Sequence, residues 1–479
     1  MKKTLLSLAF AMVLGGAAHA QTSTGPWSIV SVGSAVPVNY ISEDIITVNA
    51  ATVWVLYREV GAAGQPALPV RTYARTIDGG TTWTGGAINI PANLNVANIT
   101  AIDGNTAWIA AFATGSGSIA QQGIYKTTDG GATWTRQATA TFSTNDSFPN
   151  VVHFFDANNG VCMGDATPHA VNARLEVYTT TNGGTTWVRN NNAPQVQNLQ
   201  EYGLVNSYFA LGNTIWHGGV SDDGTGPTSG TGARLFKSTD RGLTWTAHDT
   251  DLAYSVSNIA FTNANNGLLG SGFELNSTTN GGVTNSSAAY TGTYRAAGLD
   301  AVPGLTGAYI SVGVPQGGTS ANNGSSISFD NGQTWTNMLP GTTSINQYEI
   351  DMLSPSVGYT GSFTQGTTAA PTVNLTGVTK LNSVITTSRN SAALKGVLQV
   401  FPNPSHDGRF ALNVNLAGAT KRDLTVTDAL GRTVKHIKLN ATGAAVQNQA
   451  LDLSQCKAGV YTLRLETEQG STVEKLVIK

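Results

Sequence analysis

The apolar positions of this sequence fall in short paired runs separated by a polar turn. TAIDGNTAWIAAF from Thr100, VHFFDANNGVCMGD from Val152, YFALGNTIWHGGV from Tyr208 and IAFTNANNGLLGSG from Ile259 each read as apolar run, Asn/Gly turn, second apolar run. That pattern predicts a β-hairpin. Hairpins of this kind can be drawn over about 45–58, 99–112, 151–165, 206–220, 257–272, 303–313 and 348–362. Beyond Leu398 the texture changes to strict alternation: Phe410, Leu412, Val414 and Leu416 form one set, and Tyr461, Leu463 and Leu465 another. Alternation predicts half-buried strands, here of a small sandwich.

A second phrase follows the hairpins: RTIDGGTTWT at Arg75, KTTDGGATWT at Lys126, TTTNGGTTWV at Thr179, KSTDRGLTWT at Lys237, STTNGGVTNS at Ser277 and SFDNGQTWT at Ser328. Its acid or amide positions are Asp78, Asp129, Asn182, Asp240, Asn280 and Asp330, separated by 51, 53, 58, 40 and 50 residues. A period of that size matches one four-stranded propeller blade, with the hairpin supplying two strands and the phrase the turn between the other two. An Asp or Asn oxygen accepts N–H bonds within its own turn, glycine admits positive φ, and the Thr or Ser hydroxyl two residues earlier closes the network. The tryptophan adds a large apolar face. Since an amide can staple a turn but cannot act as a general base, Asn182 and Asn280 point to a structural role for all six positions.

The phrase resembles the Asp-box, or bacterial neuraminidase repeat, and five of the six copies keep its tryptophan, at Trp83, Trp134, Trp187, Trp245 and Trp335. The resemblance implies an all-β fold. We expect a seven-bladed β-propeller, with six blades as the alternative. The seventh hairpin, IDMLSPSVGYTGSF, has no Asp phrase after it, so the strand opened by Trp27 is expected to complete that blade and close the ring.

Pro402-Asn403-Pro404, Asp428 with Gly431-Arg432, Leu451-Asp452-Leu453-Ser454, Ala458-Gly459-Val460-Tyr461 and the closing EKLVIK resemble the C-terminal sorting domain of the Bacteroidetes type IX secretion system. The resemblance implies an immunoglobulin-like sandwich, recognition by the type IX machinery, passage through the periplasm, and release or attachment at the outer surface. The opening Lys2-Lys3, the apolar run Leu5–Leu14 and Ala18-His19-Ala20 read as a secretory signal cut before Gln21. The expected organisation is signal 1–20, propeller 21–385, linker 386–397 and sorting domain 398–479.

Composition narrows the function. Residues 21–395 carry 14 Lys+Arg against 21 Asp+Glu, and 396–479 carry 10 against 7. The first region lacks the basic stripe that nucleic-acid binding needs. No apolar run reaches the roughly 20 residues of a membrane span. Cys162 and Cys456 lie in different expected domains and read as isolated thiols. No Cys/His spacing suggests zinc, no glycine-rich stretch resembles a phosphate loop, and SDDGTGPTSGTG lacks the glutamate that closes an EF-hand, so no cofactor or metal is expected.

Polar residues that carry chemistry gather in the third and fourth repeats: Asp165, His169, Arg174, Glu176, Glu201, Tyr202, His217, Asp222 and Asp223. We place them in or beside loops at the mouth of the ring, with Asp165, Glu201, Tyr202 and His217 as the candidate site. His153, inside VVHFF, reads as a strand histidine. No Arg-Ile-Pro phrase of the sialidase type occurs, Arg58-Glu59-Val60 being the nearest. The expected function is an exported, monomeric binding or scaffold module for a glycan or surface protein. The alternative is a secreted glycoside hydrolase of sialidase or xyloglucanase type.

Overall fold

The computed structural model describes residues 23–24, 26–37, 39–60, 68–114, 116–142, 144, 147–167, 170–198, 201–221, 232–314, 322–338, 345–365, 373–385, 397–415, 423–428, 432–439, 446–467 and 470–479. The expected signal segment, most of the expected linker, and His169, Asp222 and Asp223 lie outside them. The chain divides into two compact units, 1–383 and 384–479.

In the first unit, each repeat folds into one antiparallel sheet whose strands follow chain order outward. The first sheet is Tyr40–Thr47, Val53–Glu59, Val70–Thr76 and Thr84–Ala87, and the second is Leu94–Ala101, Ala107–Ala113, Gly123–Thr127 and Thr135–Arg136. Pro149–Phe154, Gly160–Ala166, Leu175–Thr180 and Val188–Arg189 make the third. Glu201–Leu211, Thr214–Ser221, Arg234–Ser238 and Thr246–Asp249 make the fourth. The fifth is Asn258–Phe261, Gly267–Ser271, Glu274–Thr278 and Ser286–Ser287, and the sixth is Gly298–Ala301, Tyr309–Gly313, Gly324–Ser328 and Thr334–Asn337, with Thr291–Gly292 added parallel at its outer edge.

The seventh sheet joins the two ends of the unit. Ile345–Ser354, Val357–Gln365 and Val373–Leu381 are followed outward by Trp27–Ser31, which pairs antiparallel with Val373–Leu381 from Trp27 opposite Leu381 to Ser31 opposite Gly377. Trp27 is fully buried, and its indole N–H donates to Ser325 Oγ at 2.9 Å. The first strand of each sheet packs against the first strand of the next, and that of the seventh packs against that of the first. Sheets standing side by side in a closed ring form a β-propeller.

The hairpins of the first, second, fourth and sixth sheets each open five residues earlier than the apolar pattern indicated, at Tyr40, Leu94, Glu201 and Gly298. The sixth hairpin opens at Gly298–Ala301 rather than at 303, because Val302–Ala308 is a turn held by Leu305 N–H to Val302 O and Ala308 N–H to Leu305 O, both 3.1 Å. The apolar core lies between sheets. Trp54, Leu56 and Tyr73 of the first sheet pack on Leu94, Ile99 and Ile109 of the second. Val30, Tyr359 and Val378 of the seventh pack on Val53, Val55 and Tyr57 of the first. The faces of each sheet are therefore apolar on both sides, which explains the continuous rather than alternating runs in the hairpins.

The second unit packs two sheets over one core. Leu398–Phe401, Arg409–Asn415 and Val446–Asp452 form one sheet; Thr433–Lys438, Asp423–Thr427, Gly459–Thr467 and Gly470–Ile478 form the other. Phe410, Leu412 and Val414 meet Leu424, Leu463, Leu465 and Leu476 across the interior. The tail motifs are fastenings of this unit. Asn403 Oδ1 accepts Val477 N–H at 3.0 Å and its amide donates to Lys475 O at 2.5 Å, so the Pro-Asn-Pro segment is tied to the closing EKLVIK strand. Asp428 and Arg432 form an ion pair at 2.7 Å, and Tyr461 Oη donates to Lys457 O at 2.8 Å.

Candidate functional site

The six Asp/Asn turns share one hydrogen-bond pattern. Asp78 Oδ1 accepts Thr76 Oγ1 at 2.8 Å and Thr82 N–H at 2.9 Å, Oδ2 accepts Thr82 Oγ1 at 2.6 Å, and Thr76 Oγ1 accepts Gly80 N–H at 2.9 Å. The same set recurs around Asp129, Asp240 and Asp330. Asn182 Oδ1 accepts Thr180 Oγ1 and Thr186 N–H; Asn280 Oδ1 accepts Thr278 Oγ1 and Thr284 N–H while its amide donates to Thr284 Oγ1. Hydrogen bonds from the Thr82 hydroxyl and N–H and from Thr76 lower the Asp78 carboxyl to about 2, and the equivalent donors from Thr133 and Thr127 do the same for Asp129. These acids are spent on their own turns. The glycine two residues after each acid or amide leans on the preceding sheet: at Gly131, φ is +92° and a Cβ would lie 2.3 Å from the Tyr73 ring.

Of the residues singled out near the third and fourth sheets, Asp165, Glu176, Glu201, Tyr202 and His217 lie on strands, Asp165 and Glu201 near their ends, and Arg174 just ahead of one. Asp165, on Gly160–Ala166, accepts Asn150 Nδ2 at 2.8 Å and Gly203 N–H of the fourth sheet at 2.9 Å. Glu201, at the start of Glu201–Leu211, is buried, pairs with Arg234 Nε at 2.5 Å and accepts Gln197 N–H at 2.6 Å. Glu176 is likewise buried and accepts Ser147 Oγ at 2.7 Å and Tyr178 Oη at 2.8 Å. His217 sits inside Thr214–Ser221 with Nδ1 2.9 Å from Ser207 O, and burial lowers it to about 4 against the pull of that carbonyl. Tyr202 is the exposed member at 38%. His153 lies within Pro149–Phe154 and packs on Phe155 and Tyr208; burial lowers it to about 4. Both cysteines are free thiols.

A second set was missed: carboxylates on the first strands, next to the axis of the ring. Asp44 Oδ2 accepts Ile99 N–H of the second sheet at 2.7 Å. Asp300 Oδ2 accepts Met352 N–H of the seventh at 2.6 Å, and Asp351 Oδ2 accepts Thr47 N–H of the first. The other junctions use neutral groups: Asn98 bonds both N–H and C=O of Val152, Ser207 Oγ donates to Val256 O, and Asn258 Nδ2 donates to Ala296 O. Asp165 serves the remaining one. Every junction of the ring thus carries a side chain that bonds the next sheet's backbone.

Burial raises Asp44 to about 7, opposed by N–H bonds from Ile99 and Ile45 and the Asn206 amide. Burial, then the neighbouring Asp351 charge, pushes Asp300 up; burial also raises Asp351. Glu349, in the bulge between Tyr348 and Ile350 with φ +55°, is raised by burial and by the charges of Asp44 and Glu43. Glu43 is paired with Arg58 at 2.7 Å. Tyr208 of the fourth sheet bonds Asn98 of the second and feels Asp44, Asp351 and Glu349, so side chains from several sheets meet at the centre. The signal lay in SEDII, GLDAV and YEIDML, where an acid interrupts an apolar strand and must find a partner. Among the described residues no group of His, Cys, Asp or Glu has a metal-holding arrangement. No helix there is long and apolar enough to cross a membrane.

Residues 399–479 match the family described as secretion system C-terminal sorting domain. The tail carries the type IX sorting signal. It implies export by that system to the cell surface or the extracellular space. No curated protein matches the chain. Among solved structures, YCF48 from Cyanidioschyzon merolae is similar at 16% identity and TM-score 0.49, over 74% of this chain and 98% of that one. YCF48 bound to D1 peptide is similar at 15% and 0.45, over 76% and 99%. PorZ, a surface component of the type-IX secretion system of Porphyromonas gingivalis, is similar at 12% and 0.41, over 90% of this chain and 58% of that one.

Proposed function

We propose that the chain is an exported, seven-bladed Asp-box β-propeller, followed by an immunoglobulin-like sorting domain, that serves as a binding or scaffold module at the cell surface for a glycan or protein ligand. Each of the seven sheets is one blade, the last completed by the N-terminal strand. The observation that carries the reading is the sorting domain at 399–479 joined to a ring whose turn acids are engaged within their own turns, whose Asp165 ties the third sheet to the fourth, and whose Glu201 is paired with Arg234 inside the fourth. Ending the chain at Leu398 should leave a folded propeller in the periplasm; truncated protein found outside the cell at the wild-type level would overturn the export claim. A glycan array probed with the exported chain tests the binding claim, and a complete absence of ligands there, together with no surface-protein partner in crosslinking, would sink it.

One observation favours glycoside hydrolysis as a second reading: Asp44, Glu349 and Asp351 gather from two adjacent sheets with raised proton affinity, as a general acid requires. Release of reducing ends from xyloglucan by the full chain, abolished in Glu349→Gln, would establish it.

A further inference from the structure

The seam between the third and fourth sheets holds a recess of about 360 Å³ whose lining includes Trp245, Arg174, Asn172, Asn192, Gln195 and Gln197. We propose that it binds a saccharide bearing a carboxylate, such as a uronic acid. The proposal rests on the binding-module reading and gives that reading a site.

The walls are held by backbone bonds, so the recess exists before any ligand arrives. Leu175 N–H donates to Pro194 O and Val196 N–H to Ala173 O, both 2.9 Å, and Asn172 N–H donates to Val196 O at 3.0 Å. Asn190 Nδ2 donates to Gly242 O at 2.7 Å and Leu243 O at 2.9 Å, joining the outer end of the third sheet to the turn that carries Trp245. Arg234 contributes no free charge, since Glu201 takes its Nε and Gln195 O takes its Nη2, each at 2.5 Å. Arg174 differs. It is exposed, donates one bond to Ala193 O at 2.5 Å, and has no carboxylate partner among the described residues.

Trp245 supplies the apolar element. Trp134, Trp187 and Trp335 at the equivalent position are buried, whereas Trp245, like Trp83, is half-buried; Trp245 borders the recess. Its indole N–H is occupied by Gly242 O at 2.8 Å, which leaves the apolar ring surface as its contribution. The C–H face of a pyranose suits such a ring, and its hydroxyls, each donor and acceptor, suit side-chain amides that also do both. A carboxylate on the sugar supplies the partner Arg174 lacks, in the forked geometry guanidinium favours. A simple anion would leave the tryptophan unused, and an apolar ligand would make no use of the side-chain amides or of Arg174.

Titration calorimetry on the full chain tests this with digalacturonic acid and, as its neutral counterpart, galactobiose. Wild type should bind the acid more tightly than the neutral disaccharide. Arg174→Gln, at an exposed position, should weaken the acid about tenfold or more and leave galactobiose unchanged, the loss expected for one charged hydrogen-bonded contact. Gln195→Ala should weaken both, and Trp245→Ala should remove both. No binding of digalacturonic acid by wild type at about 10 mM, or equal affinity in Arg174→Gln, would overturn the proposal. A ligand found on the glycan array and bound equally by the recess variants would overturn this site while leaving the binding-module reading intact.

Discussion

At the scale of single residues, two kinds of acid behave in opposite ways. Rim acids such as Asp240 accept three local bonds; burial opposes, but donors from Thr244 and Ser238 hold its carboxyl below the usual range. Asp240→Ala should cost about 1–3 kcal/mol in a denaturant titration without changing ligand binding. Asp240→Asn should cost less, because Asn182 and Asn280 already perform the same stapling. Lost binding at unchanged stability in Asp240→Ala would move the turn from architecture to mechanism. The axial acids have raised values, with Asp44 at about 7 against 3.8 for an ordinary aspartate. Such a group binds its proton more tightly when folded, so its favourable contribution is complete at low pH and is lost as pH rises toward 7. Asp78 and Asp129, lowered to about 2, stabilise above the ordinary carboxylate range and lose that contribution as pH falls toward 2. The melting temperature should therefore peak near pH 4 and decline as pH rises to about 7. Asp44→Asn should flatten that decline, with Asn98 showing that an amide suits the position. A melting temperature that climbs steadily from pH 5 to 8 would refute the assignment.

At the scale of elements, the fifth sheet departs most from the repeat. Asn285 stands where the others have tryptophan, while its two-residue outer strand, Ser286–Ser287, is as short as those of the second and third sheets. Asn285 compensates in part by polar stitching: Oδ1 accepts Asn276 Nδ2 at 2.7 Å, and Nδ2 donates to Asp249 O of the fourth sheet at 3.0 Å. Hydrogen bonds open to solvent protect less than a buried ring. Hydrogen-exchange mass spectrometry should find Glu274–Thr278 and Ser286–Ser287 exchanging ahead of the matching strands of the second and third sheets; equal protection would count against this account. The six turns were legible because their bonds run between residues two to four apart, and the hairpins because each pairs two stretches adjacent in the chain. The engagement of Asp165, Glu201 and His217 was not, since Asp165 is bound to Gly203 of the neighbouring sheet, and Glu201 and His217 to Arg234 and Ser207, 33 and 10 residues away in the chain.

At the scale of the whole molecule, ring closure depends on one N-terminal strand. Trp27→Ala removes a fully buried indole and its bond to Ser325, and should cost about 3–5 kcal/mol by chemical denaturation. Loss of under 1 kcal/mol would mean that Trp27–Ser31 does not hold the ring. The amino-acid sequence by itself determined the repeat, its turn chemistry, the paired apolar runs and the tail motifs, because each is written in residues close together in the chain. Only the tertiary structure decided which acids are spent and which gather. Asp44, Asp300 and Asp351 are far apart in sequence, and their role as bridges between sheets follows from the ring placing each beside the next sheet's N–H. The recess at Trp245 likewise exists only because Asn172–Arg174, Asn192–Gln197 and Trp245, drawn from two sheets, face one another across a seam. Local hydrogen bonding leaves a mark in the local sequence; burial and proximity between distant strands are set by packing, and no short stretch records them.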